Sequence, residues 1–527
     1  GEGKGGKAAR LEAMGVEHGR AVLALAHEVQ RQHELLQADL DSTIEELART
    51  LHRFDIPAPA RRGHYKRLSQ LKSRENIASL LGRCRGPLEE RIGATKECRK
   101  LLSDQSPPIK ELVDVGLVPV FVDFLADESH PKLQFEAAWV LTNICSGTSE
   151  QTQIVVESGA VPYLIGLLAS KEEELAEQCV WALGNIAADS YECRDILLDS
   201  NIVDALLPLM DSRRVPMLKN LSWTMSNLCN GVSDAHWEKV VAALPHFSKL
   251  VYSNDDDILK DVCWSLSCIT SGTKERIQSI VDLNADVCKR LIDLLGHSSS
   301  AVQHAALITV GNIVTGDDLQ TQVLINLDIL PRLRTLLSHS KKSILKDACF
   351  TISNIAAGNR KQIQAICDAR IVPALVLLFT TTSKLEVKVE ATWALANALS
   401  NGSDEQIRYL IEQGCIEPMC KEIMFYDYAT VEAVLEALEN ILRVGDGNVA
   451  PFSKATARLV RDQVSHVLEC LQVNDQQVLR KLNSVKQSAG SDGELSDAQH
   501  EQAALDVHLH HHHGYRRAEK RSSSSVQ

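Results

Sequence analysis

The stretch CVWALGNIAADS, residues 179–190, places an aromatic residue, an amide and an acid at regular spacing. Trp181, Asn185 and Asp189 follow one another at intervals of four residues. On a helix, side chains at this spacing lie on one face, one turn apart. An indole face attracts cations, a carboxamide both donates and accepts hydrogen bonds, and a carboxylate attracts a cation. The stripe therefore has the chemistry to bind a cationic peptide in extended form.

The same pattern recurs along the chain with a fixed period. An Asn follows the Trp-like residue by four positions in most copies, and a weak further copy places Asn440 in phase. The Trp-like positions, 41 to 44 residues apart, are Trp139, Trp181, Trp223, Trp264, Ile308, Phe350 and Trp393. A period of about 42 residues is typical of α-solenoids of the armadillo or HEAT kind. We therefore predict an all-α, armadillo-repeat right-handed superhelix whose last helices line a concave peptide-binding groove.

A second sequence motif within each repeat predicts a further helix. GLVPVFVDFL, GAVPYLIGLL and RIVPALVLLF each begin after a turn and place Pro near the start of an apolar run. Pro is tolerated in the first turn of a helix, and the apolar spacing is helical. We expect each repeat to contain one short helix and two longer ones. No single unit covers its own apolar face, so neighbouring units must stack.

Composition limits the function classes. Aromatic residues make up 4% of the 527 residues, and the 14 cysteines include no CxxC pair. There is no phosphate-binding glycine loop, no ligand-spaced His/Cys cluster in the repeats and no apolar run of the ~20 residues that span a bilayer. We predict a soluble, non-enzymatic protein of a reducing compartment, without a metal, a cofactor or a membrane partner.

Charge favours a cationic partner over nucleic acid. The net charge is −13, although residues 1–100 carry 19 Lys and Arg against 14 Asp and Glu. An acidic body disfavours phosphate binding, which needs a basic surface. Acidity that merely keeps the protein soluble explains the total equally well.

The flanks differ from the repeats. Residues 1–60 predict an N-terminal helical extension, either an amphipathic capping helix or a self-associating coil. Residues 61–86 form a sparse basic segment, residues 87–445 the repeat array and residues 446–485 a C-terminal helical region. Residues 486–527, which include a run of histidines, have the composition of a disordered tail.

Two interpretations of the stripe remain open for any single repeat. Each Trp could half-bury against the next repeat while each Asn caps a local carbonyl. Three consecutive Trp/Asn pairs favour a ligand, because packing tolerates any large apolar residue. Helices 8–10 Å apart and a peptide that rises ~3.3 Å per residue give two to three ligand residues per pair. The carboxamides would hold the peptide backbone, and the indoles would hold Lys or Arg stems.

The repeats resemble those of the importin-alpha family of nuclear-import adaptors. FEAAWVLTNICSGTSEQTQIVVESGAVPYLIGLLAS and EQCVWALGNIAADS are similar to its second and third repeats, and DACFTISNIAAGN and EVKVEATWALANALSNGS to later ones. The resemblance implies a major site for a nuclear localisation signal, in which the Gly147 carbonyl, Thr152 and Asp189 clamp the decisive lysine. The implied major-site residues are Trp139, Asn143, Gly147, Thr152, Gln178, Trp181, Asn185, Asp189, Trp223 and Asn227.

The resemblance also implies a minor site and a set of partners. Its residues are Asn312, Val314, Thr315, Asp318, Thr321, Phe350, Asn354, Glu390, Trp393 and Asn397. The implied partners are Lys/Arg-rich cargo peptides, an importin-beta carrier and a nuclear export factor for recycling. The protein would then shuttle between cytoplasm and nucleus.

This sequence departs from the family at several points. Cys268 and Ile308 replace a polar or aromatic residue and an Arg, and Phe350 replaces a Trp. The basic residues between Arg61 and Arg74 are sparser than the family's importin-beta-binding segment. The region after residue 450 lacks an obvious tenth repeat and the acidic patch for the export factor. An armadillo scaffold without carrier coupling is therefore the alternative.

Overall fold

The computed structural model describes residues 77–103, 107–283, 285–421, 423–445, 458–460 and 462–463. The predicted segment 1–60, the basic residues Arg61 to Arg74 and the tail 486–527 lie outside the described residues. All regular secondary structure in the described ranges is helical, as predicted. The chain divides into two compact units, residues 1–163 and 164–527, and each is described by itself.

The described residues contain nine long helices, and all but the first carry the periodic pattern. Two belong to the first unit and seven to the second. They are α1 (Leu88–Leu102), α2 (Pro131–Cys145), α3 (Glu173–Asp189), α4 (Val215–Cys229), α5 (Asp256–Thr270), α6 (Ser300–Ile313), α7 (Lys342–Ala356), α8 (Leu385–Asn401) and α9 (Tyr428–Gly445). In the second unit each of these helices packs on the next, which is the arrangement of an armadillo solenoid.

Shorter helices connect the long ones. The first of each pair are Ile109–Asp114, Ser149–Glu157, Tyr191–Asp199, Trp237–Val241, Lys274–Leu283, Asp318–Asn326, Arg360–Asp368 and Asp404–Glu412. The second are Leu117–Leu125, Ala160–Gly166, Ile202–Leu206, Leu244–Leu250, Ala285–Leu294, Ile329–Leu336, Ile371–Thr381 and Ile416–Cys420. Three are followed by 3₁₀ turns, at Leu167–Ala169, Leu207–Asp211 and Ile423–Phe425.

The expected helix lengths are therefore wrong. Each repeat has two short helices and one long helix, whereas we expected one short helix and two longer ones. The second helix ends early where its chain tightens into a 3₁₀ turn, as at Leu167–Ala169. The predicted turn before this helix is confirmed, because Gly116 and Gly159 have φ values of +79° and +81°. Asn201, Asp328 and Arg370 adopt the same left-handed conformation at equivalent positions.

Buried apolar residues of the long helices form the core. In the first unit Val140, Leu141 and Ile144 of α2 are fully buried, whereas Trp139 and Asn143 are half-buried. The prediction that the Trp and Asn positions lie off the apolar set is confirmed at this repeat. Both residues therefore keep part of their surface accessible to solvent.

Glutamine side chains link the first short helices of successive repeats. Gln362 is fully buried, its amide donates to the Asp318 carbonyl at 2.8 Å, and its oxygen accepts from the Asn359 N–H at 3.1 Å. Gln320 and Gln406 make equivalent bonds to the carbonyls of Lys274 and Arg360. Each glutamine thus completes a capping box and contacts the preceding repeat.

Replacing Gln362 by Ala is expected to lower the free energy of unfolding by about 1–3 kcal/mol, because the Asp318 carbonyl and the Asn359 N–H lose their partner and a fully buried side chain is removed. The measurement is the shift of the urea midpoint. Gln322→Ala is the control, because among the described residues the Gln322 side chain bonds to Asn326 of its own helix, at the exposed surface. Equal midpoints for the two variants would contradict the role given to Gln362.

No single helix among the described residues is long and apolar enough to cross a membrane. Two pairs of consecutive shorter helices reach the necessary length and composition only when joined, and each pair is sharply bent.

Candidate functional site

The Trp-like residue of each long helix and the residue four positions later are called the ladder positions. On α3 the Trp181 side chain is 42% exposed and Asn185 is half-buried. Trp223 and Asn227 on α4 are likewise half-buried. The surface that α3 to α9 form at these positions is called the ladder face. It offers indoles and carboxamides to solvent at its α3–α4 end.

Hydrogen bonds fix neighbouring long helices in a parallel register. The Thr224 hydroxyl donates to the Val180 carbonyl at 3.1 Å, and the Asn227 amide donates to the Gly184 carbonyl at 3.3 Å. Moving one turn along α4 thus moves the bond one turn along α3 in the same direction. The bond uses one N–H of a carboxamide that has two N–H groups and an acceptor oxygen. Asn227 therefore holds α4 against α3 and keeps a second N–H and an acceptor oxygen.

A glycine sets the position of the Trp223 indole. A Cβ atom at Gly184 would lie against ring atoms Cζ3 and Cε3 of Trp223 and against the Thr224 hydroxyl. Gly184 therefore lets the indole lie directly on the α3 backbone. Trp223 can approach α3 this closely because residue 184 is a glycine and has no side chain.

Asp189 is an acid without a cationic partner among the described residues. It is half-buried at the C-terminal end of α3, and its carboxylate accepts only a long contact of 3.9 Å from the Cys193 thiol. No lysine or arginine in the described ranges pairs with it. The C-terminal end of a helix carries partial negative charge, which adds to the attraction for a cation. In contrast, Glu177 on the same helix pairs with Arg214 at 3.1 Å.

Gln178 is placed one turn before Trp181, as the spacing requires. Its side chain is 7% exposed. Like Asp189 it lies at an end of the Trp181/Asn185 pair along α3. The structure thus brings Gln178, Trp181, Asn185 and Asp189 to one helix.

The first unit carries a Trp/Asn pair whose indole already holds a cation. The Arg99 guanidinium carbon on α1 lies 4.3 Å from the centre of a Trp139 ring, and Arg99 Nε donates to Glu136 at 2.6 Å. Glu136 lies one turn before Trp139 and is 5% exposed. Asn143 Nδ2 is buried and bonds to no group in the described residues. Arg99 and Glu136 shield part of this indole.

Gly147 and Thr152 lie after α2 in the first unit. A Cβ atom at Gly147 would collide with the Gln151 side-chain oxygen, so the capping box of the following helix requires glycine here. The Thr152 hydroxyl is buried and donates to the Cys145 carbonyl at 3.3 Å. Gly147 is exposed.

The residues implied for the minor site are less accessible. Asn312 and Asn354 are 3% and 2% exposed. Asn312 donates to the Ser267 carbonyl at 2.9 Å, and Asn354 donates to the Phe350 carbonyl of its own helix at 3.0 Å. The Val314 and Thr321 side chains are fully buried, and Thr315 and Asp318 reach the surface.

The ladder positions of α8 resemble those of α3 and α4 more closely than the ladder positions of α6 and α7 do. Trp393 and Asn397 are half-buried, and the Asn397 amide donates to the Ser353 carbonyl at 3.0 Å. The Trp393 Nε1–H donates to Thr430 at 2.9 Å, which fixes the indole against α9. Glu390 lies one turn before Trp393 and is 7% exposed.

The acid one turn before Trp264 is expected to reduce stability at neutral pH. Burial raises the pKa of Asp261, although Lys260 lies 3.3 Å away. An acid whose pKa is higher in the folded than in the unfolded state favours folding only while it is protonated. Its contribution to the free energy of unfolding is complete below the unfolded-state pKa of about 4 and is lost as pH rises through the folded-state pKa. Asp261→Asn should therefore raise the thermal midpoint at pH 7, and this gain should vanish near pH 4. Asp256→Asn, at an exposed acid of the same helix, should give no such gain; a pH-independent difference at Asp261 would contradict the assignment.

Sequence reasoning missed Arg99, Glu136 and Gly184. A spacing signal for Glu136 was present, because it precedes Trp139 by three residues as Gln178 precedes Trp181 and Glu390 precedes Trp393. No such signal marked Arg99, which reaches the indole from another helix.

Comparison with known proteins identifies the repeats. The Armadillo/beta-catenin-like repeat family matches residues 105–146, 148–188, 190–230, 317–357 and 359–400. A crystal structure of an engineered protein superposes with a TM-score of 0.71 at 28% identity and covers 79% of this chain and 99% of its own.

Curated relatives give the family. Importin subunit alpha-1b of Oryza sativa subsp. japonica is 50% identical over 357 residues, 67% of this chain and 66% of the rice protein. Importin subunit alpha-3 of Arabidopsis thaliana is 49% identical over 67% of each chain. Importin subunit alpha-B of Dictyostelium discoideum is 52% identical over 67% of this chain and 69% of its own. The chain thus matches about two thirds of the length of these relatives. It belongs to the importin-alpha family of armadillo-repeat proteins.

Proposed function

We propose that this protein is a nuclear-import adaptor that binds Lys/Arg-rich nuclear localisation signals in extended form on the ladder face. The observation that carries the proposal is the arrangement on α3 and α4. Two half-exposed indoles, Trp181 and Trp223, stand beside half-exposed carboxamides and near Asp189, which has no cationic partner among the described residues.

The first unit supplies an internal example of the proposed chemistry. Arg99 stacks on Trp139 and pairs with Glu136, so the chain itself places a guanidinium between an indole face and a carboxylate. A ligand cation over Trp181 or Trp223 would gain about 0.5–2 kcal/mol from the same attraction. Within the first unit, we propose that Asn143, Gly147 and Thr152 also contact the signal peptide.

Backbone recognition falls to the carboxamides. Asn185 and Asn227 stand one helix apart, which is 8–10 Å, or two to three residues of an extended peptide. A carboxamide that pairs with a peptide unit reads the backbone without reading the side chain. The indoles, together with Gln178 and Asp189, then select lysine.

The minor site is proposed to be weaker than the major one. Its Asn312 and Asn354 are buried, and Phe350 offers a phenyl ring where the stronger cation binder is indole. Trp393, Asn397 and Glu390 on α8 are proposed to carry most of its affinity. Thr315 and Asp318 supply polar groups at its edge.

Carrier coupling is a separate part of the proposal. The relatives are named importin subunits, so we propose that importin-beta binds this chain and that a nuclear export factor returns it to the cytoplasm. The basic residues between Arg61 and Arg74 are the proposed importin-beta contact.

The test uses the full chain as bait for two peptides. One carries a K-K/R-x-K/R cluster, and its control has the basic residues replaced by Ala. Importin-beta is included in both pull-downs. We expect the chain to capture only the basic peptide and to retain importin-beta in the same samples. Capture of the peptide without importin-beta would leave a basic-peptide receptor without the proposed carrier. Capture of neither would favour the alternative of an armadillo scaffold.

A further inference from the structure

An exposed aromatic ring follows Asp189 by two residues. Tyr191 is the first residue of the short helix Tyr191–Asp199, and its side chain is 63% exposed. Neither the major site nor the minor site includes it. Single exposed aromatic residues occur on many protein surfaces, so exposure alone does not mark a contact. The surroundings of this ring distinguish it.

The protein fixes the Tyr191 ring without covering it. The guanidinium carbon of Arg194 lies 4.9 Å from the ring centre. Arg194 is 3% exposed, donates to Asp195 at 2.7 Å and 2.9 Å, and donates to the Asn230 carbonyl, so its charge is compensated. At the ring edge Gly231 has a φ of +65°, and a Cβ atom there would lie 3.2 Å from Tyr191 Cε1. The ring is therefore held in place for a ligand on its exposed side.

Backbone geometry brings this ring to the same side of the chain as the Asp189 side chain. Ser190, between the two, is extended, with φ of −154° and ψ of 165°. An extended residue places the side chains before and after it on one side, with their Cα atoms about 7 Å apart. The Asp189 carboxylate also lies 3.9 Å from the thiol of Cys193, in the first turn of the helix that Tyr191 begins. Asp189 and Tyr191 thus border one patch.

We propose that Tyr191 is a specificity-determining residue that selects an arginine two positions away from the lysine bound by Asp189. This inference rests on the proposed function and deepens it. In an extended peptide, side chains two positions apart lie on one side at about 6.6–6.8 Å, which matches the spacing of Asp189 and Tyr191. An aromatic face attracts a cation, and the planar guanidinium of Arg stacks on a ring better than an ammonium does.

The charge beside the ring opposes an acidic ligand residue. Glu192 follows Tyr191 and is exposed. A ligand Glu at the position that reaches Tyr191 should therefore bind less tightly than Ala, because like charges repel. The expected order of affinity at this ligand position is Arg, Lys, Ala and Glu.

The experiment uses fluorescent peptides that share one K-K/R-x-K/R cluster. Alanine scanning first identifies the lysine whose replacement weakens binding most, which is the lysine expected at Asp189. Further peptides then carry Arg, Lys, Ala or Glu two positions before or two positions after that lysine. At one of these two positions the full chain should bind the Arg peptide about two- to fivefold more tightly than the Ala peptide.

Protein variants locate the preference. Tyr191→Ala should bind the Ala peptide as the parent chain does and should no longer distinguish Arg from Ala. Tyr191→Phe should keep the difference, because the ring face remains. Tyr163→Ala, at a 44% exposed tyrosine of the short helix Ala160–Gly166, is the matched control and should also keep it. Circular dichroism checks that the variants fold.

Three results would contradict the role given to Tyr191. The Arg preference could be absent from the parent chain although the Ala peptide binds, or it could survive in Tyr191→Ala. An equal loss of affinity for all four peptides in Tyr191→Ala would mean that the ring supports the fold and not selectivity. Each of these results overturns this inference alone. Failure of the parent chain to bind any of the peptides would overturn the proposed function as well.

Discussion

Asp189→Lys is expected to weaken binding of a basic peptide at least about 100-fold. The carboxylate has no cationic partner in the described part of the chain, so a ligand lysine supplies the missing charge. Removing one member of a close charge pair costs about 2–5 kcal/mol, and reversal of the charge adds repulsion. The fold should survive, because a lysine suits the C-terminal end of α3. Titration of a labelled peptide measures the loss, and circular dichroism measures helix content.

The matched control is Asp204→Lys. Asp204 is exposed on the short helix Ile202–Leu206, so this variant changes the net charge by the same amount away from the ladder face. It should retain nearly full affinity. If both variants weaken the peptide equally, then net charge and not a site at Asp189 governs binding. An unchanged affinity of Asp189→Lys would remove Asp189 from the site.

Gly184→Ala is expected to damage both stability and binding. The added methyl group would overlap the Trp223 ring and the Thr224 hydroxyl, so the indole must move or α4 must shift away from α3. Overpacking of this kind costs about 1–3 kcal/mol. Displacement of Trp223 should also lower peptide affinity by roughly tenfold, which corresponds to about 1.4 kcal/mol. Urea unfolding and peptide titration measure the two effects.

Gly166→Ala tests the same substitution without the collision. Gly166 has helical φ and ψ of −59° and −38°, and nothing lies within 4 Å of an added Cβ atom. Alanine favours the helix by about 0.5–1 kcal/mol, so this variant should be as stable as the parent or more so. If the Gly184 variant behaves like the Gly166 variant, the indole is not held against the α3 backbone.

The long helices could be predicted because their signal is local and repeated. A Trp followed by Asn after four residues marks α2, α3, α4 and α8, and in each the pair lies half-buried at the surface. Apolar neighbours such as Val140 and Leu141 are buried, as their helical spacing predicts. The period fixed the number of residues between these helices. It did not fix the lengths of the short helices, three of which are followed by a 3₁₀ turn.

The accessibility of the ladder amides could not be predicted from the pattern. Asn227 and Asn312 occupy equivalent positions, but only Asn312 is fully enclosed. Asn312 also has two acceptors on the preceding helix, the Ser267 carbonyl and the Thr270 hydroxyl. Stacking of Arg99 on Trp139 is likewise a contact between helices. Such contacts depend on three-dimensional neighbours that a repeat period does not specify.

The glutamine bonds between repeats bear on how such a chain can grow. Gln320, Gln362 and Gln406 donate to the main-chain carbonyls of Lys274, Asp318 and Arg360. A carbonyl is present whatever side chain its residue carries, so these three bonds depend on the backbone of the preceding repeat, although Gln320 and Gln406 also donate to the side chains of Gln278 and Gln364. Duplication, deletion or exchange of a whole repeat preserves the junction, whereas a change of a few residues shifts the carbonyl out of reach. Repeat number can therefore drift in evolution or be set by design without rebuilding each boundary.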